Sequence, residues 1–70
     1  MKQSELNFKE NTQNCVWCTW DDTFEFYWER GSNHILITPE HGLNIYVPDN
    51  ATPALVRKEI CLWLGATFNV

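Results

Sequence analysis

A chain of 70 residues has room for one domain and one core, and it buries a smaller share of its surface than a longer chain, so its stability needs a dense core. Four Trp, four Phe and two Tyr can supply that density, and a hydrophobic content of 44% argues against a wholly disordered chain. The net charge of −4 disfavours phosphate backbones and anionic lipid as partners, and no apolar run approaches the roughly 20 residues that span a bilayer.

Residues 1–14 are rich in Gln, Asn, Lys and Glu, with Leu6 and Phe8 as the only strong apolar anchors. They are expected to form a polar arm, partly disordered, with at most a short helical turn. The single domain is expected over residues 15–70. No apolar signal-type run opens the chain, and three cysteines do not suit a disulfide framework, so a reducing, cytoplasmic setting is expected.

Four short β-type runs follow, each closed by turn chemistry. Residues 15–20 precede Asp21-Asp22, and residues 23–29 precede Gly31-Ser32-Asn33. Residues 34–38 precede Pro39-Glu40-His41-Gly42, and residues 43–47 precede Pro48-Asp49-Asn50. Turn signals about every ten residues between β-branched and aromatic runs predict an antiparallel meander. Side chains alternate across a strand, so Val16, Cys18 and Trp20 should share one face with Phe24, Phe26 and Trp28. Ile35, Ile37, Leu43, Ile45 and Val47 complete that face.

The helix signal is the strongest. Thr52 suits the N-cap, Pro53 the first helical position and Gly65 a left-handed stop. Val56, Ile60, Trp63 and Leu64 form one apolar stripe, with Arg57, Lys58 and Cys61 roughly opposite. Leu55 and Leu62 make a second strip beyond Glu59, wider than one sheet contact needs, and offer a helix contact for a homodimer. Residues 66–70 could add an edge strand or pack as a tail. The expected fold is therefore α+β: a four-stranded antiparallel meander packed on one C-terminal helix.

Chemistry-bearing motifs are few. Cys15-Val16-Trp17-Cys18, with His34, His41 and Cys61, has the donors for zinc. On a strand, however, residues three apart face opposite sides, so the two thiols should diverge. His34 and His41 belong to strand ends and loops, and Asp21-Asp22 to a hairpin turn. Asn50-Ala51-Thr52 matches a glycosylation sequon, but its better reading is a turn leading into a helix cap. No catalytic residue, cofactor site or metal site is expected, and the chain is expected not to be an enzyme.

What remains is the sheet face turned away from the helix. Trp17, Tyr27, Leu36 and Tyr46 should meet there, beside Glu25 and Glu29. Residues 15–50 carry a net charge of −5 with Arg30 as the only Lys or Arg. Aromatic rings amid carboxylates suit a partner bearing Arg or Lys. The expected function is a small, acidic, non-enzymatic binding module, an inhibitor or adaptor docking on a larger, basic protein. In size and charge alone it resembles the small acidic proteins of phages and mobile elements. Two alternatives are a sheet that stacks single-stranded nucleic acid, poorly supplied with cations, and a zinc-stabilised domain. The arm itself, through Leu6 and Phe8, could also cover the outer rings.

Overall fold

The computed structural model describes residues 1–39 and 44–70. A short 3-10 turn, Gln3–Glu5, leads into a five-stranded sheet and then a helix. The strands are β1 (Asn7–Asn11), β2 (Cys15–Trp20), β3 (Phe24–Glu29), β4 (His34–Thr38) and β5 (Ile45–Tyr46), and the helix α1 is Pro53–Phe68. Spatial order follows chain order, with every neighbouring pair antiparallel. The α+β class, the meander and the C-terminal helix agree with the sequence pattern. Glu40, His41, Gly42 and Leu43 lie outside the described residues, so the inward direction expected of Leu43 and the loop role of His41 are not addressed.

The fifth strand comes from the chain's first residues. Asn7–Asn11 pairs with β2, inside the segment expected to be an arm. Its polar sequence shows no alternation because a bulge at Lys9 interrupts the register between Phe8 and Glu10. What holds it is the open edge of β2 plus two anchors: Leu6 is buried in the core and Phe8 packs against it. Both anchors therefore serve the inner side and do not cover the outer rings.

Alternation dictates the inner face. Val16, Cys18, Phe24, Phe26, Trp28, Ile35, Ile37, Ile45 and Val47 are all buried. Against them α1 lays Val56, Ile60 and Leu64, each fully buried. Trp28 spends its one polar group on the Ser32 carbonyl, its Nε1–H donating at 3.1 Å. Thr52 caps the helix as its residue type predicts, its Oγ1 accepting from the Leu55 N–H at 3.3 Å.

The helix departs from expectation at its far end. It runs through Gly65 to Phe68 and stops at Asn69, whose φ of 59° and ψ of 41° give the left-handed cap assigned above to Gly65. Tertiary packing supplies the reason. Phe68 stacks on Trp20 with centroids 5.3 Å apart and lies 5.2 Å from Phe24. Trp63 closes the cluster edge-on to Phe24, Phe26 and Phe68. Trp20, expected on the core face, is half-buried at this aromatic end, and residues 66–68 are helix, not an edge strand.

Cys61 is a second correction. Placed by the helical wheel among the polar residues, it is buried. The N-terminal turn lies along that flank, and Met1, Lys2 and Gln3 share a shallow depression there with Lys58, Cys61 and Leu62. Burial of one domain's helix flank by its own N-terminal segment has no signal in the helix sequence.

The β2–β3 hairpin is tight. Asp21 and Asp22 both take positive φ, 55° and 50°, a conformation that short polar side chains tolerate better than most. The Thr23 hydroxyl donates to the Asp21 carbonyl at 2.9 Å, which uses these residues as turn chemistry.

Candidate functional site

The strand register builds the outer face row by row. Trp17 faces Tyr27 across β2 and β3, and Tyr27 faces Leu36 across β3 and β4. Next along are Thr19, Glu25 and Thr38, while Cys15 and Glu29 pair on the other side. Tyr46 pairs with His34 at the β4–β5 edge. On β1 the bulge turns Lys9 and Glu10 towards this side, Glu10 opposite Trp17. All six residues expected to form the face, Trp17, Glu25, Tyr27, Glu29, Leu36 and Tyr46, thus lie on it.

They are not equally available. Trp17 and Tyr27 are half-buried, packed edge-to-face with centroids 6.1 Å apart and planes at 74°. Trp17 donates its Nε1–H to Glu25, and Tyr27 donates its hydroxyl to Glu29. The Lys9 ammonium sits 5.3 Å from the Trp17 ring, a cation–π contact that covers part of its surface. Leu36 and Tyr46, by contrast, are 48% and 70% exposed. The face has a closed half on β1–β3, where rings and charges hold each other, and an open apolar half on β4–β5.

Two shallow depressions flank the ring pair. One is lined by polar groups of Asn7, Lys9, Thr19, Glu25 and Thr38, beside Phe24 and Pro39. The other gathers Glu10, Asn14, Cys15, Tyr27, Glu29 and Arg30. Negative charge shapes the second. Burial first, then Glu10, raises the Cys15 thiol above its ordinary pKa, and Glu29 adds to the rise. The Tyr27 hydroxyl is pushed up chiefly by its bond to Glu29, so it stays a donor throughout the neutral range. The Arg30 Nε–H donates to the Gln13 carbonyl at 2.8 Å.

The cysteines diverge as strand geometry requires. Cys18 pairs with Phe26 on the inner face and Cys15 with Glu29 on the outer. Burial, then the neighbouring Cys61, pushes the Cys18 thiol up to about 12. Burial raises Cys61 as well. Such thiols are protonated at neutral pH and poor nucleophiles. Among the described residues no group of three or more His, Cys, Asp or Glu is arranged to hold a metal ion. His34 opens β4, its Nδ1 3.1 Å from the Asn33 Oδ1.

On the helix, Leu62 is 55% exposed, whereas Leu55 is half-buried and packs on the core, so the two leucines expected as a dimer strip are divided. No described helix is long and apolar enough to cross a membrane. No protein-family model, curated protein or solved structure matches this chain. Lys9 is the site residue that sequence reasoning missed, because only the bulge brings it over Trp17.

Proposed function

We propose that this protein is a small non-enzymatic binding module, of inhibitor or adaptor type, whose outer sheet face docks on a basic surface of a larger protein. The observation that carries the reading is the pairing of exposed Leu36 and Tyr46 with fixed carboxylates, Glu25 and Glu29, on a face that α1 does not cover. An exposed apolar centre supplies area, and rim carboxylates supply orientation and selection against acidic surfaces. A sheet face is also a rigid platform, so little entropy is lost on docking.

The test is affinity capture from a native lysate with the wild-type chain, with Leu36→Ala/Tyr46→Ala and with Glu25→Gln/Glu29→Gln. The expected outcome is one protein with a basic surface, retained at least tenfold more weakly by either double variant and released by rising salt. Equal retention by all three proteins contradicts the reading. So does steeply salt-dependent capture of RNA or DNA alone.

A further inference from the structure

Glu25 and Glu29 stand four residues apart on β3 and face outward with Tyr27 between them. At about 3.4 Å of rise per residue, their Cα atoms are roughly 14 Å apart. Each carboxylate accepts from a neutral donor, the Trp17 indole N–H or the Tyr27 hydroxyl. A neutral donor fixes a carboxylate without cancelling its charge, and leaves acceptor sites for a second donor. The rings that do the fixing are themselves locked edge-to-face. Two carboxylates are therefore held at a set spacing on one strand, with a ring between them and exposed Leu36 alongside, while Lys9 and Arg30 line the depressions beside Glu25 and Glu29.

We propose that this face selects its partner by that spacing: an extended segment with Lys or Arg at positions i and i+4 and an apolar side chain at i+2. In an extended chain, positions i, i+2 and i+4 point the same way, so both cations meet Glu25 and Glu29 while the central group lies over Tyr27 and Leu36. A helix presenting i and i+4 sets them only about 6 Å apart and cannot reach both carboxylates. The inference rests on the docking reading above and adds the partner's geometry to it.

The experiment titrates the 15N-labelled full chain, at low salt, with nine-residue peptides of one composition. Two arginines stand at i and i+4 around a central leucine, or at i and i+1, or at i and i+3. The i, i+4 peptide is expected to bind about tenfold more tightly than the others, shifting the amides of Thr19, Tyr27 and Leu36. Glu25→Gln and Glu29→Gln keep an acceptor for their ring donors, and each is expected to bring that peptide down to the level of the other two. A thermal melt of each variant confirms that it is folded. Equal binding of all peptides on this face overturns the spacing rule and leaves the docking reading standing. Shifts gathered around Lys58 and Leu62, on the helix, overturn both.

Discussion

The two sides of this sheet are made by the same strands and teach opposite lessons. On the inner side, burial dominates: apolar residues at alternate positions meet α1, and the indole N–H of fully buried Trp28 finds a backbone carbonyl. On the outer side the rings do not vanish into a core. Trp17 and Tyr27 are held by Glu25, Glu29 and Lys9, while Leu36 and Tyr46 are left to solvent. Alternation assigns each residue to a side. Neighbouring side chains, across the strands and along them, decide whether an outer ring is structural or available.

The comparison can be broken most sharply at its inner side. Phe26→Ala is expected to cost about 3–5 kcal/mol, the range for emptying a fully buried aromatic site. Trp63→Ala, at a half-buried ring in the aromatic end, belongs at the low end of that range, about 3 kcal/mol. Urea unfolding followed by circular dichroism measures both. If either loss falls below that of Tyr46→Ala, the sides have been assigned the wrong way round.

Next in size is the closed half of the outer side. Trp17→Phe removes the indole donor and leaves the Glu25 carboxylate without it, at a cost of about 0.5–1.5 kcal/mol. Smallest is the open half. Tyr46→Ala and Leu36→Ala are expected to change stability by no more than about 0.5 kcal/mol while weakening docking at least tenfold. A Trp17 variant as harmless to stability as Tyr46→Ala would erase the division between the halves.

The inner side also titrates differently from water. A thiol whose folded pKa lies above its unfolded value holds its proton more tightly when folded. Its contribution to stability is intact below pH 9.0, the ordinary thiol value, and is lost progressively as pH rises towards about 12 for Cys18. The urea midpoint should therefore fall as pH rises from 9.0 towards about 12, and Cys18→Ala should flatten that fall. An unchanged slope in the variant would show that Cys18 is not the group responsible.

Where sequence was legible, period and side agreed. The runs from Cys15 to Val47 carry one alternation, and a single helix with Thr52 and Pro53 at its head suffices to cover it. Three features were not legible, each because a distant contact decides it. Asn7–Asn11 is a strand by grace of the β2 edge and of Leu6 and Phe8, not of its own pattern. Phe68 seats on Trp20 and Phe24, and that packing carries the helix past a glycine that could have ended it. The N-terminal turn lies along the helix flank at Cys61, which the helical wheel alone leaves in water. On the outer side, alternation places the six residues on one face without showing which of them hold one another. Trp17 and Tyr27 bind their own neighbours, and the exposed pair is Leu36 and Tyr46.

Site-resolved photo-cross-linking tests the central claim most directly. A benzophenone side chain replaces Leu36 or Tyr46 on the sheet, or Leu62 on the helix, and adducts formed in a native lysate are identified by mass spectrometry. The account predicts a discrete adduct with one basic-surfaced protein at positions 36 and 46 and none at 62. Adducts confined to position 62 would contradict it.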